Sequence, residues 1–195
     1  VLIVLDDVWD VKHVEAFQFE VDRYHVLFTT RDSHIALSMG AEQVRLGVLS
    51  KPQAISLLRE WAGRLDPHLE RIADRLGYLP LALKLAGARL REGLSGAEWL
   101  ETFHHVAQMR MGRRSTDPQE NLEVCFDLSV EQLHEDDQKL YYALAIFPEE
   151  VPIPPHVVAR LWQQIDNSLT RFDCDELIME LARLALVDRD AESKA

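Results

Sequence analysis

Residues 1–5 are five apolar side chains in a row, mostly β-branched, and the run stops at Asp6-Asp7. Without polar alternation it predicts a central strand of a parallel sheet, covered on both faces. Val26-Leu27-Phe28 is a second short apolar run about 20 residues later, ending in Thr29-Thr30-Arg31. Ser33 is placed to cap a short helix over 35–39 with Gly40 as its stop, and 43–46 predicts a third strand. Strand, connection, strand, helix, strand at this spacing is the rhythm of an α/β sheet.

After residue 48 the period changes to helical. Ser50 is an N-cap candidate with Pro52 in the first turn, ahead of an apolar face of Ala54, Leu58, Trp61 and Leu65. Asp66-Pro67 opens a second helix, with Leu69, Ile72, Ala73 and Leu76 on one face and Gly77 just past its end. A third begins near Pro80 with Ala82, Leu83, Ala86 and Leu90. Ser95 and Glu98 form a capping box ahead of a fourth, with Leu100, Phe103, Val106 and Ala107 inward. Residues 49–112 thus predict a bundle of four short helices, and the aperiodic polar stretch 110–118 a linker.

Helices follow near 119–133 and 136–147, then a turn at 147–150. Pro154-Pro155 introduces a helix carrying Val158, Leu161 and Trp162. Asp173 with Glu176 predicts a cap ahead of Leu177, Leu181 and Leu184. Residues 186–190 predict the first strand of a hairpin, so 119–195 has the outline of a winged helix cut at its wing. The whole reads as α/β plus all-α: a sheet segment over 1–48, then a helical bundle, then a winged helix.

Composition and charge narrow the partners. The 195 residues are 47% hydrophobic and 28% charged, ordinary for a globular chain. No apolar run reaches the ~20 residues of a membrane helix. Two cysteines without metal or disulfide spacing point to a reduced, cytoplasmic compartment. The net charge of −12 is unevenly placed: 119–195 holds 17 acidic against 6 basic residues, which repels nucleic acid and anionic membranes.

Chemistry concentrates at two strand ends. A parallel strand delivers its last side chains to the crevice where α/β folds bind ligands. Two adjacent carboxylates there need compensation, and Mg²⁺ is a natural partner because it takes one or two carboxylates plus waters and phosphate oxygens. Asp6 is the candidate for holding hydrated Mg²⁺, and Asp7 for orienting an attacking water. The same pair also reads as an Asp-Asp turn, with Asp7 or Asp10 capping a helix. Arg31, with Thr30 beside it, enters the same crevice if the strands are neighbours, and its guanidinium could read a terminal phosphate bidentately. Taken alone it is equally a surface arginine after an edge strand. Pro80 either opens a helix or flanks a flat base. Trp9, Trp61, Trp99 and Trp162 fit core or interface positions, and Cys125 sits on a core-facing helix side. His134-Glu135-Asp136-Asp137 reads as a solvated helix start rather than a metal site.

VLIVLDDVW, LFTTRDSHIALSMG, LGVLSKPQAISLL and GYLPLALKLAGARLRE, in that order, resemble the NB-ARC nucleotide-binding module, and 128–162 looks like its winged-helix part. The likeness is greatest to the apoptotic-factor branch, carried by LDDVWD and TTRD. The resemblance implies the C-terminal part of a P-loop NTPase sheet that binds ADP or ATP with Mg²⁺. It matches Asp6 to the magnesium-associated Walker B acid, Asp7 to the acid after it, and Arg31 to the sensor arginine near the γ-phosphate. Pro80 matches the proline that packs on adenine, although Gly77-Tyr78-Leu79-Pro80 is one residue longer than the family's G-x-P. The resemblance further implies a switch. The winged helix folds over ADP, exchange to ATP releases it, and the intact protein self-assembles as a slow ATPase. Effector domain and C-terminal sensor repeats lie outside this chain.

No G-x-x-x-x-G-K-[ST] loop occurs in the 195 residues. The strand start at Val1, without Met, suggests a piece of something longer, with that loop upstream. The family's Met-His-Asp element would follow the wing. Such a piece is expected to bind nucleotide weakly. The competing reading is a winged-helix DNA-binding regulator, opposed by the acidity of 119–195 and by the acidic run Asp173-Cys174-Asp175-Glu176.

Overall fold

The computed structural model describes residues 1–17, 24–111, 118–148 and 151–189. They form two compact units, 1–47 and 48–195. Most of the chain is helical, beside a small parallel two-stranded sheet.

In the first unit, β1 (Leu2–Leu5) and β2 (His25–Phe28) pair in parallel, with Leu5 beside Phe28 and Leu2 beside His25. Between them runs α1 (Val11–Glu15), and α2 (Ser33–Ser38) follows β2. Leu5, Val26 and Phe28 share one sheet face and pack against Val8, Val14 and Ile35. Leu2, Val4 and Leu27, on the other face, are more than half exposed. The expectation of a strand covered on both faces is therefore corrected. Both described helices of this unit pack on the same side of the sheet, and strand side chains alternate.

Two further local expectations change. Asp32, rather than Ser33, caps α2: its carboxylate accepts from the His34 amide at 2.8 Å. Asp10 caps α1 in the same way through the Lys12 amide at 2.9 Å. In each the aspartate precedes the helix in extended backbone, where a side-chain oxygen reaches the second helical amide. Residues 43–46 form no strand. Val44 and Leu46 are exposed, and a strand exists only where a neighbour supplies ladder hydrogen bonds.

The second unit holds α3 (Lys51–Ala62), α4 (Leu69–Arg75), α5 (Pro80–Arg91), α6 (Gly96–Met111), α7 (Pro118–Val130), α8 (Glu135–Ala143), α9 (Pro155–Ile165) and α10 (Arg171–Arg183). Residues 112–117, inside the expected linker, lie outside the described residues, but α6 and α7 extend into both of its ends. The expected 136–147 helix closes at Ala143, with a 3-10 turn over Leu144–Ile146. Glu149 and Glu150 of the expected turn also lie outside the described residues.

The core of this unit is continuous from Ala54 to Leu186. At its centre α5 buries Ala82, Leu83, Leu85, Ala86, Ala88 and Leu90. Small residues let α3 come close: a Cβ added at Gly87 would lie 2.5 Å from Trp61 Cβ. α6 inserts Trp99, Phe103 and Ala107, one turn apart, while Leu100 and Val106 remain half-buried. Trp162 of α9 is fully buried, and its indole N–H donates to the Leu140 carbonyl at 2.7 Å. Arg183 on α10 pairs with Glu92, and Arg91 Nη2 donates to the Arg183 carbonyl at 2.9 Å, tying α5 to α10.

Helix ends account for the remaining differences. Leu65 is exposed because α3 stops at Ala62, where Gly63 turns left-handed at φ +64°. α10 is capped by Thr170, not Asp173: Thr170 and Asp173 form the reciprocal box three residues apart. Residues 186–189 form no strand. Ala185 adopts φ +59° and the Leu186 amide donates back to the Leu181 carbonyl at 2.9 Å, a Schellman closure of α10. Leu186 is thereby buried in the core rather than extended toward a wing, and Asp190 lies outside the described residues.

Candidate functional site

Because β1 and β2 run parallel and in register, they end side by side. The pairing continues one step past each strand: the Thr29 amide donates to the Leu5 carbonyl at 2.9 Å, and Val8 N–H to the Thr29 carbonyl at 2.9 Å. Asp6 and Asp7 therefore meet Thr29, Thr30 and Arg31 at one sheet edge.

Asp6 is exposed and accepts a hydrogen bond from the Thr29 hydroxyl through Oδ1. Its Oδ2 accepts no hydrogen bond among the described residues. Thr29 Oγ1 in turn accepts from the Asp7 amide at 2.8 Å. That bond holds Asp7 at φ +52°, a left-handed conformation that aspartate tolerates better than most residues. Thr30 points the other way. Its hydroxyl donates to the Val8 carbonyl at 2.7 Å and accepts from the Asp32 amide at 3.1 Å. Thr30 thus staples the two strand-end loops together, and Thr29 is the threonine beside the acid.

Asp7 is the hub of a second cluster. Its Oδ2 accepts the Trp9 indole N–H at 2.7 Å, and Oδ1 lies 3.7 Å from Arg31 Nε. The Arg31 guanidinium stacks over the Trp9 ring at 5.3 Å from its centroid. The arginine side chain is 76% exposed and Trp9 is 62% exposed, so neither is a core residue. Of the core or interface positions expected for Trp9, its exposure rules out the core one. Its aromatic character had suggested packing, but it follows a left-handed Asp7 that turns the chain out of the sheet. Trp61 is half-buried and carries Lys84 and Arg91 over its ring, while Trp99 and Trp162 are core.

The donor set suits a hard cation held mostly by other oxygens. Asp6 and the Thr29 hydroxyl supply two oxygens at an open edge, and Mg²⁺ needs few protein ligands when phosphate and water complete its shell. Among the described residues, no group of three or more His, Cys, Asp or Glu could hold a metal unaided.

Pro80 belongs to the second unit. It is the first residue of α5, after Gly77 and Tyr78, both left-handed at φ +59°. The Tyr78 hydroxyl donates to Asp74 at 2.5 Å, and its carbonyl accepts from the Leu49 amide at 3.2 Å. The hydrogen bond to Asp74 pushes the Tyr78 phenol above its ordinary range. Lys51 binds Glu70 at 2.6 Å, and that bond raises its own pKa. The extra residue of this G-x-x-P turn is thus anchored by its own polar contacts. Elsewhere in the second unit, a cleft of about 490 Å³ is lined by His68, Arg71, Arg75, Leu100, Glu101 and His104. Cys125 is buried as expected from its helix position, and burial pushes its thiol far up.

The acid pair and the arginine thus meet at the carboxyl end of a parallel strand pair, the edge at which open α/β sheets bind ligands. Residues 1–66 match the NB-ARC domain model. Over 99% of the chain, apoptotic protease-activating factor 1 of Danio rerio is 24% identical. The same factor of Homo sapiens is 26% identical over 100% of the chain. The probable disease resistance protein RF45 of Arabidopsis thaliana is 23% identical over 99%. The chain spans only 15%, 16% and 22% of these proteins. Among the described residues, no helix is long and apolar enough to cross a membrane.

Proposed function

We propose that the chain is part of an ADP/ATP-dependent switch that governs self-assembly of a signalling protein. The observation that carries this reading is the joint strand edge, Asp6 with Thr29 and Asp7 with Arg31, inside the segment that matches the NB-ARC model. Asp6 would hold Mg²⁺, which neutralises phosphate charge when bound. Asp7 would orient water for slow hydrolysis in the intact protein, Arg31 would read the terminal phosphate with Thr30 fixing its loop, and Pro80 would flank the base. The division into 1–48, 49–112 and a winged helix over 119–195 belongs to the same reading, as does a cytoplasmic setting with effector and sensor segments elsewhere in the intact protein. Support for the winged-helix part of this reading comes from α8 and α10 each packing on α9, within a core that α3 to α7 also share.

The chain contains no phosphate-cradling glycine-lysine loop, so by itself it should bind nucleotide weakly. A calorimetric ADP dissociation constant in the low micromolar range for these 195 residues would overturn that expectation. For the intact protein, Asp6→Asn should abolish the Mg²⁺ dependence of ATP binding. Unchanged Mg²⁺ dependence would remove Asp6 from the site. Salt-dependent binding to duplex DNA would favour a transcriptional regulator instead, against the acidity of 119–195.

A further inference from the structure

The ion pair between Asp7 and Arg31 is long, and it runs through Arg31 Nε at 3.7 Å. A guanidinium carries five N–H donors in a planar fork. Contact through Nε leaves the two terminal nitrogens, which carry no hydrogen bond among the described residues. Trp9 lies against that fork. Its ring lies under the guanidinium, and its N–H simultaneously holds the Asp7 carboxylate that faces Nε. One indole therefore contacts both partners of the ion pair. The three residues make a triangle on an open edge, and its base, the left-handed Asp7, is held by the Thr29 hydroxyl that also serves Asp6.

We infer that Trp9 is the positioning residue for Arg31: the indole face and N–H together hold the guanidinium with its terminal nitrogens presented to an anionic ligand. An arginine side chain that is three-quarters exposed otherwise samples many rotamers, and ordering it at the moment of binding costs entropy. Trp9 removes that cost in advance, so its effect falls on the ligand state that Arg31 recognises. The inference rests on the proposed reading of Arg31 as the group that tells ATP from ADP.

The test uses the intact protein and compares ATP with ADP affinity by calorimetry in wild type, Arg31→Ala, Trp9→Ala and Trp9→Phe. Trp9→Ala should lower the ATP-to-ADP affinity ratio about three- to tenfold, in the direction of Arg31→Ala, with ADP affinity nearly unchanged. Trp9→Phe keeps an aromatic face without the N–H and should recover part of the ratio. If Arg31→Ala shifts the ratio and Trp9→Ala does not, the positioning role is wrong and the proposed function stands. If Arg31→Ala itself leaves the ratio unchanged, the proposed sensor role falls and the inference with it. Equal losses for both nucleotides in Trp9→Ala, with a lowered melting temperature, would make Trp9 merely structural and also overturn the inference.

Discussion

The two units solve the problem of burial differently. The second, with eight α-helices among the described residues, closes a core in which Leu83, Leu85, Leu90, Trp99 and Trp162 are almost wholly shielded. The first buries Val8, Val14 and Ile35 against one face of two short strands, and leaves the other face open. The candidate site lies in the thin unit. Its charged and polar side chains gather where backbone pairing ends, because that is where a strand stops consuming side chains for packing. A ligand can reach an edge of this kind, whereas the helical core is positioned to hold shape.

The contrast can be broken by substitution. Trp162→Ala should produce the largest loss, about 3–5 kcal/mol, because it removes a fully buried ring and leaves the Leu140 carbonyl without its donor. Leu27→Ala, on the open sheet face, should cost under about 1 kcal/mol by the small apolar area it covers. Urea melts of the two variants check the pair, and equal costs would erase the distinction between the units. Gly87→Ala comes next. Its new methyl would strike Trp61 Cβ and force α3 from α5, at about 1–3 kcal/mol in the same melts.

Asp66 sharpens the comparison through pH. Burial opposes its ionisation, yet the His68 and Gly96 amides and the His68 ring hold its carboxyl below the ordinary range. A depressed folded-state pKa means the stabilisation is full above the unfolded value of about 3.9 and is lost as pH falls through the lower folded value. Asp66→Asn should therefore destabilise at neutral pH, and its difference from wild type should shrink in acid, as followed by thermal melts across that range. Asp10→Ala should fray α1 for about 0.5–2 kcal/mol, read as faster amide exchange confined to Val11–Glu15. Asp136→Asn, at a solvated pair with Lys139, should leave the melting midpoint unchanged.

Much of the helical unit is legible from spacing. Leu69, Ile72, Ala73 and Leu76 occupy the positions that their three- and four-residue intervals require, and the Ser95–Glu98 box forms as its sequence implies. Caps are where local reading slips by a residue or more, as with Asp32 for Ser33 and Thr170 for Asp173. Several oxygens compete for the same free amides there, and backbone entry angle decides among them. Strands are harder still. Residues 43–46 carry a strand composition and form none, and Leu186 is spent on closing α10, because a strand is a property of a pair and not of a segment.

At the candidate site, the sequence by itself determined that an acid pair and a Thr-Thr-Arg run each end an apolar strand, and the motif order that resembles NB-ARC. Only the tertiary structure decided that Thr29 rather than Thr30 meets Asp6, and that Trp9 stands outside the core with Asp7 and Arg31. The reason is geometric. Parallel register places residues 23 apart in the chain at bonding distance, and strand alternation sends adjacent threonines to opposite sides. The left-handed turn at Asp7, which directs Trp9, is fixed by a hydroxyl from the neighbouring strand that no local sequence contains.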